Sequence, residues 1–464
     1  MDAAARHRHG DTAPDHELTT LLALAGMSHK ALAKRINELA ELRGVSRRYT
    51  HTSVANWCRR GMAPRAPAPA LIADALSERL ARRVTVGETG LAGPGDLPGP
   101  AGDGPSFPRT TSVALTEAAE FWSPVKRRDV LSAAPFSAGA FSTPFLRWLI
   151  EPADPAGGAR SGGGPRVGEG DVRELRQAAE DVRHWDSRYG GGSWRSTPMP
   201  ALLYERAAPL LRGTYGEDVG RQLFAAVSQL ARLAGWIAFD AGDDRAAQRH
   251  FVRALRLARA AGDRPLGAYV LTTMAMQSLL RGHPDEAVDM AQGAHEQAGG
   301  REAAAVRGFA KLIEARAHAR LGDERAACRS LARAEELCAH DRQGQDAPEW
   351  IDFFNRARIV TDAVEVFRDL GRPRAALGWD RLAALPANRY TRCHGMRLAV
   401  VSSAHLQRGA LDEALAAGRQ SVAVLRTVRS ARAAEHLRTL GSHLGQWRNV
   451  PQARSLLAEL RPAS

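Results

Sequence analysis

The larger part of this chain takes its fold from a pattern first seen in Leu233–Ala258, LAGWIAFDAGDDRAAQRHFVRALRLA. Apolar residues recur on both sides of AGDD with the spacing of an amphipathic helix, and Gly242 lies where the chain must turn. Gly235 before the turn and Ala247 after it are small, which allows two antiparallel helices to approach closely. The stretch therefore predicts a tight helical hairpin with a contact surface of small side chains.

The same pattern recurs along the chain, with turn glycines spaced 40, 40, 49 and 38 residues apart at Gly242, Gly282, Gly322, Gly371 and Gly409. The residue five positions after each glycine is always alanine: Ala247, Ala287, Ala327, Ala376 and Ala414. Such self-similarity predicts stacked hairpins, with GQWRNVPQARSLLAEL near the end as a sixth, degenerate unit. The first unit resembles the tetratricopeptide repeat, so the resemblance implies an α-solenoid over residues 170–464.

A second pattern lies near the N-terminus. The stretch from Ser28, SHKALAKRINELAELRG, predicts a helix with a Ser N-cap, and TSVANWCRRG from Thr52 predicts a shorter polar-faced helix. Helical spacing directs Val54 and Trp57 of the shorter helix towards the core. Two helices packed across each other in this way form the unit that helix-turn-helix proteins insert into the major groove.

Several positions resemble the lambda-repressor-like helix-turn-helix class: Leu32-Ala33, Thr52-Ser53-Val54, Trp57, Gly61, Pro64, Leu71, Ala75 and Leu76. One departure concerns the fifteen residues from Asn37 to His51, where members of this class need only four or five. Either the second helix is longer, or residues 44–50 form a basic wing. The two alternatives imply different docking geometries on a duplex.

The charge of this segment predicts a nucleic-acid surface. Nine basic and two acidic residues between Met27 and Arg65 give it a charge of +7, which attracts polyanions. Asn can pair with adenine and Arg with guanine, so base contacts are expected from Thr52, Ser53, Asn56, Arg59 and Arg60. Phosphate contacts are expected from Lys30, Arg47, Arg48 and Arg65. The alternatives are an ordinary solvated helix face for Asn56 and complementarity with the helix dipole for Arg59 and Arg60.

Composition divides the chain into the following segments: a tail over 1–13, the helix-turn-helix domain over 14–90, flexible linkers over 91–110 and 151–169, an apolar docking segment over 111–150, and the repeats over 170–464. The linkers are rich in Gly and Pro, which bury too little apolar surface to become ordered. The docking segment contains Phe136, Phe141, Phe145 and Trp148, and these rings are expected to pack against the repeats.

The first helices of the repeats predict a concave groove. Its expected inner face comprises Gln229, Arg232, Trp236, Tyr269, Met276, Phe309, Arg316 and Arg358. A mixture of arginine and aromatic residues suits an acidic or extended peptide partner. Ordinary structural packing is the alternative for each single residue.

Composition also limits the function. The chain has a net charge of +13, but only four of its 64 Lys and Arg residues are lysine, a bias typical of a GC-rich genome. The four cysteines form no CxxC pair, so a reducing cytoplasm and no metal site are expected. No apolar run is long enough to cross a membrane, and we expect no membrane contact. Motifs for nucleotide binding, hydrolysis or zinc catalysis are missing, so we expect no cofactor and no enzymatic activity.

Nearly end to end, the chain resembles a family of actinobacterial regulators that join such a helix-turn-helix to a tetratricopeptide region. Members from streptomycetes include negative regulators of sporulation and antibiotic production. Supporting stretches are HELTTLLALAGMSHKALAKRIN, TSVANWCRRGMAPRAPAPALIADALSERL and RYGGGSWRS. The resemblance implies a cytoplasmic transcriptional regulator that binds double-stranded DNA, with repeats that bind a peptide or protein or form a homodimer. The alternative is an interaction scaffold whose N-terminal domain contacts protein and not DNA.

Overall fold

The structure is a computed structural model that describes residues 17–42, 48–59, 64, 68–80, 84, 89, 91, 105–123, 136–150, 154, 164–189, 199–300, 303–341, 348–383 and 391–460. These residues are all-α and contain no strand, which confirms the predicted fold class. The chain separates into two compact units, Met1–Gly104 and Pro105–Ser464.

The described residues of the N-terminal unit form four α-helices: α1 (Glu17–Leu24), α2 (His29–Leu42), α3 (His51–Arg59) and α4 (Ala68–Leu80). Ser28 caps α2, since its Oγ accepts a hydrogen bond from the backbone N–H of Ala31 at 3.2 Å. Helix α2 packs against both α3 and α4. Val54 and Trp57 are buried in the core of the unit, as their spacing predicts.

Helix α2 continues to Leu42, in agreement with the longer second helix that the sequence allowed, and the basic wing over residues 44–50 stays a prediction. Residues 43–47 lie outside the described part of the chain. Asn37 of α2 fixes the segment that leads into α3: its side-chain amide donates to the carbonyl of Tyr49 and its Oδ1 accepts from the N–H of Tyr49, both at 2.8 Å. The Tyr49 ring then packs edge-on against Trp57, with centroids 5.7 Å apart.

The larger unit begins with α5 (Thr111–Phe121), a 3-10 turn (Ala138–Phe141), α6 (Ser142–Ile150) and α7 (Glu169–Tyr189). Two short helices, α8 (Met199–Ala201) and α9 (Ala208–Leu211), flank a π-helical turn over Leu202–Ala207. The repeats follow in pairs: α10 (Glu217–Asp240) with α11 (Asp244–Ala261), α12 (Arg264–Leu280) with α13 (Pro284–Gln297), α14 (Ala304–Leu321) with α15 (Glu324–Asp341), α16 (Arg356–Asp369) with α17 (Pro373–Asp380), α18 (Thr391–Gln407) with α19 (Leu411–Leu425), and α20 (Ala431–Leu444) with α21 (Pro451–Glu459).

The five turn glycines lie between the helices of the first five pairs, and all have φ between 66° and 87°. This left-handed conformation costs little only for glycine, which explains its recurrence at that position. The five registered alanines are fully buried. A Cβ on Gly235 would lie 2.6 Å from the Phe251 ring, so the first pair packs as closely as its small residues predict. The sixth pair has no glycine with positive φ between its helices and turns through a short 3-10 segment (Gly445–Trp447).

The docking segment covers the outer side of the repeats. Phe141 and Trp148 are buried in the same core as the first hairpins, and Phe136 and Phe145 pack against that core. Trp148 of α6 lies so close to α12 that a Cβ on Gly267 would meet its ring at 1.9 Å. Only a glycine permits this approach, because a methyl group would occupy the space of the indole.

Parts of the two predicted linkers are ordered, in contrast to the flexible segments expected from composition. Arg256 of α11 donates to the carbonyls of Pro108 (2.5 Å) and Arg109 (3.1 Å). It also pairs with Asp154 at 2.7 Å, and Arg259 pairs with the same carboxylate at 3.0 Å. All three of these charged side chains are buried. Backbone carbonyls and one shared carboxylate therefore fix residues 108–109 and Asp154 to the repeats.

Candidate functional sites

The first candidate site is the beginning of α3 in the N-terminal unit. Thr50 and Ser53 form a reciprocal capping arrangement: Ser53 Oγ accepts from the N–H of Thr50, and Thr50 Oγ1 accepts from the N–H of Ser53, both at 3.3 Å. Ser53 is half-buried, so its hydroxyl stabilises the helix start and is only partly available as a base contact. Thr52 is exposed and Asn56 is half-buried on the same helix.

The basic residues around α3 differ in their exposure to solvent and in their ion pairing. Lys30 and Arg48 are exposed. Arg35 is bound to α4, where its Nε and one terminal nitrogen donate to the Glu78 carboxylate at 2.7 and 3.0 Å. The hydrogen bonds that Arg35 donates to Glu78 and then to Glu38 raise the pKa of Arg35 further above its usual value. The remaining predicted contacts lie outside what the structure describes, namely Arg47, Arg60, Arg65 and the side chain of Arg59.

The second candidate site is a cavity of about 850 Å³ on the inner side of the repeats. Its walls come from α7, from the first helices of all six pairs and from the segment before α16. Seven of the eight predicted groove residues line it: Arg232, Trp236, Tyr269, Met276, Phe309, Arg316 and Arg358. Gln229 is half-buried and does not line the cavity.

One wall of the cavity is aromatic. Tyr269 stacks on Trp350 with centroids 4.9 Å apart, and its ring also packs near Phe309 at 6.1 Å and Phe353 at 6.0 Å. The guanidinium of Arg232 lies over the Tyr269 ring, 4.6 Å from its centroid. Burial raises the pKa of the Tyr269 phenol, so this ring stays neutral at physiological pH.

Another part of the cavity lining belongs to a cluster of buried charges that joins the first hairpin to the last ones. Arg392 of α18 pairs with Asp240 of α10 at 2.7 Å and with Asp186 of α7 at 3.0 Å. Arg432 of α20 and the hydroxyl of Ser430 bind the same Asp240 carboxylate, each at 2.7 Å. Because Asp240 is fully buried, these donors compensate a charge that would otherwise be costly. The array of hairpins therefore closes on itself around the cavity.

A second ionic group lies on α14 and α16. Arg316 donates to Glu365 at 2.7 Å, and Arg368 lies 3.7 Å from the same carboxylate. Burial acts to raise the pKa of Glu365, but the neighbouring guanidinium groups outweigh burial and hold this pKa well below its usual range. His436 of α20 faces this group, and burial lowers its pKa to about 4. The ring is therefore neutral near pH 7 and adds no charge to the cavity.

Sequence patterns missed several residues of this site. Phe353 and Trp350 belong to a segment that lengthens one repeat interval to 49 residues, against 38 to 40 for the others. That longer interval was the only available signal for them. Arg392 and Arg432 approach Asp240 across 152 and 192 residues of sequence, and no local pattern indicates such pairs.

Comparison with known families bears on the N-terminal unit. Residues 18–92 match the family model described as the SP15 N-terminal domain, and this description names a domain and not an activity. No match to the chain was found among curated proteins. In the part of the chain that the structure describes, no helix is long and apolar enough to cross a membrane. The same residues contain no group of three or more His, Cys, Asp or Glu side chains arranged to hold a metal ion.

Proposed function

We propose that this protein is a DNA-binding transcriptional regulator of development or secondary metabolism, whose repeat unit binds a peptide or protein ligand or a second copy of the chain. The observation that supports DNA binding most directly is the mounting of α3. One side of α3 is buried through Val54, Trp57 and Cys58, while Thr52 near its N-terminus is exposed. A short helix held rigidly on one side and exposed on the other suits insertion into a groove.

The fixation of α3 also supports the proposal. Asn37 and Tyr49 hold the segment before α3, and the Thr50–Ser53 cap sets the first turn. Exposed Lys30 and Arg48 supply positive charge beside these elements in the sequence. Helix N-termini and basic side chains bind phosphates and set the register of a protein on the duplex. The exposed polar residues of α3 then contact base edges.

The test uses the full chain and random-sequence duplex selection followed by titration at several salt concentrations. We expect selected duplexes to bind tightly, with log K falling linearly as log[salt] rises. Arg48→Ala should weaken binding to all duplexes alike and reduce the salt slope by roughly one. Asn56→Ala should relax the preference at one base pair, at a cost of about 1–3 kcal/mol. Arg333→Ala, which removes an exposed arginine from α15, is the matched control and should change neither quantity.

A scaffold function is the second candidate, and one observation favours it. Ser53 and Arg35 are both bound within the unit, to Thr50 and Glu78, which leaves fewer free groups for DNA than the charge alone suggests. Absence of duplex binding at low salt, together with unchanged behaviour of Arg48→Ala, would replace the DNA-binding proposal with this one.

A further inference from the structure

We propose that the repeat cavity binds an amphipathic carboxylate, with the carboxylate paired to Arg232 above Tyr269 and the apolar part of the ligand against Trp236, Met276 and Leu280. This inference deepens the ligand-binding part of the proposed function and does not depend on DNA binding. A short peptide with a free C-terminus and a small aromatic acid both have this chemistry, a carboxylate joined to an apolar body.

The arginines that line the cavity differ in whether a carboxylate of the chain lies close to them. Ten arginines of the described residues line it, and nine of them lie within 4.0 Å of a carboxylate: Arg183, Arg281, Arg316, Arg320, Arg358, Arg368, Arg392, Arg397 and Arg432. Arg232 is the exception within the described residues. Arg232 is only 8% exposed, and its Nε has no hydrogen-bond acceptor.

Burial makes this exception costly. A guanidinium removed from water loses hydration that a single ring contact with Tyr269 replaces only in part. An anion from outside the chain would supply the missing partner. Arginine holds carboxylates through paired hydrogen bonds, and Arg232 lines the cavity that such a carboxylate would enter. Arg232, Arg183 and Arg358 act to lower the pKa of the Tyr269 phenol and Asp352 acts to raise it, so three cations and one carboxylate act electrostatically on this hydroxyl.

The side chains next to Arg232 and Tyr269 on their helices fit an apolar ligand body. Trp236 follows Arg232 by one helical turn on α10, and Met276 follows Tyr269 by two turns on α12, so all four side chains face the same space. Leu280 extends the apolar surface along α12. A volume of about 850 Å³ lies within the range of cavities that enclose small organic ligands. The volume of the cavity does not decide between a short peptide and a small aromatic acid, because a few peptide residues and a ring system occupy similar volumes.

Isothermal titration of the full chain tests the inference with two pairs of probes. The first pair is a library of N-acetylated pentapeptides of Leu, Met, Phe and Trp, with free C-termini or with C-terminal amides. The second pair is indole-3-acetic acid and indole-3-acetamide. We expect one acid to bind roughly tenfold or more tighter than its amide, since hydrogen bonds to charged groups exceed neutral ones by that margin. If the peptide acids bind more tightly than indole-3-acetic acid, the ligand is a peptide C-terminus. If indole-3-acetic acid binds more tightly, the ligand is a small aromatic acid.

Variants at Arg232 separate a ligand role from a structural one. Arg232→Met should abolish the preference for the acid and, without ligand, should raise the melting temperature of the larger unit because an unpaired buried charge is removed. Arg232→Lys should keep the preference for the acid, and Arg333→Met serves as the surface control. The inference is overturned if no acid binds at millimolar concentration, if acid and amide bind equally, or if Arg232→Met lowers the melting temperature and leaves acid binding intact. Duplex binding, measured separately, stands or falls independently of these results.

Discussion

The contact between Trp148 and Gly267 gives the sharpest prediction about stability. A Cβ at position 267 would lie 1.9 Å from Trp148 Cη2 and 2.2 Å from Cζ2. Carbon atoms in protein interiors pack at about 3.5–4.0 Å. Gly267→Ala therefore cannot be accommodated unless the indole leaves its place, and α6 must shift with it. The substitution tests whether α6 is fixed to the repeats by this close approach.

Two effects of opposite sign determine how much Gly267→Ala changes the free energy of unfolding. Overpacking a filled site costs about 1–3 kcal/mol, and a clash this deep belongs at the upper end. Alanine in place of glycine within a helix contributes about 1 kcal/mol in the other direction. The net loss in global stability is about 2 kcal/mol. Local opening of α6 leaves α12 helical, so it reflects the full clash of about 3 kcal/mol, which corresponds to a roughly 150-fold larger opening constant. With Trp148→Ala in the background the clash disappears, and only the favourable helix effect remains.

Native-state hydrogen exchange measured by mass spectrometry resolves the two helices. Gly267→Ala alone should accelerate exchange in peptides that cover α6 (Ser142–Ile150). In the Trp148→Ala background the same substitution should slow exchange in α12 (Arg264–Leu280), so its effect changes sign. The coupling energy of this double-mutant cycle is expected to be about 3 kcal/mol.

A matched control removes the general effect of alanine in a helix. Gly441 lies inside α20, and a Cβ there would meet only Leu460 Cδ1 at 3.8 Å, an ordinary contact. Gly441→Ala should therefore slow exchange in α20. Additive effects of Gly267→Ala and Trp148→Ala would refute the close-approach argument. So would an α6 whose exchange is unchanged by Gly267→Ala.

Two further predictions concern the N-terminal unit and the cavity. Asn37→Ala removes both hydrogen bonds to the Tyr49 backbone and should destabilise the α3 segment by about 1–3 kcal/mol. Hydrogen exchange over His51–Arg59 should become faster, while exchange in the larger unit stays unchanged. Unaltered exchange over His51–Arg59 would contradict the role given to Asn37. Burial lowers the pKa of His436 from 6.5 to about 4, so the unfolded chain takes up the proton first and stability falls as the pH drops from 6.5 towards 4. The loss is at most about 3 kcal/mol, and melting curves of His436→Gln should depend less on pH over that window than those of the wild type; identical slopes would contradict it.

The hairpins could be predicted from sequence because their signal is local. A turn glycine and an alanine five residues later belong to one hairpin, and each residue contributes to the same contact in every copy. The inner face followed from this register, since a helix of known position presents known residues to one side. Seven residues of the cavity wall were found in that way.

The closure of the array could not be predicted, because it depends on pairs that are remote in sequence. Asp186 and Arg392 are 206 residues apart, and either residue alone resembles any charged residue on a helix. The same limit applies to Arg35, whose partner Glu78 lies on another helix and outside the segment whose charge was counted. Local charge sums therefore overstate how many cations are free to bind DNA.

Helix α11 shows a further limit. Its pattern is strongly amphipathic, which predicts a solvated outer side, yet Arg256 and Arg259 on it are buried. The reason is that residues 105–110 and Asp154 cover that side and supply the carbonyls and the carboxylate. Glycine- and proline-rich composition gave no sign that these segments would be ordered. Individual hydrogen bonds, which composition does not record, decide the outcome.

The arginine bias of the chain bears on how Arg232 is interpreted. If arginine were present only because of base composition, buried arginines would be paired or unpaired without regularity. Six described arginines are less than 9% exposed, and five of them have a carboxylate partner: Arg256, Arg259, Arg316, Arg368 and Arg392. These five guanidinium groups are paired with carboxylates, in some cases from distant segments of the chain. Arg232 is the sixth, and it lies at the wall of the repeat cavity, where an incoming anion can complete the pair.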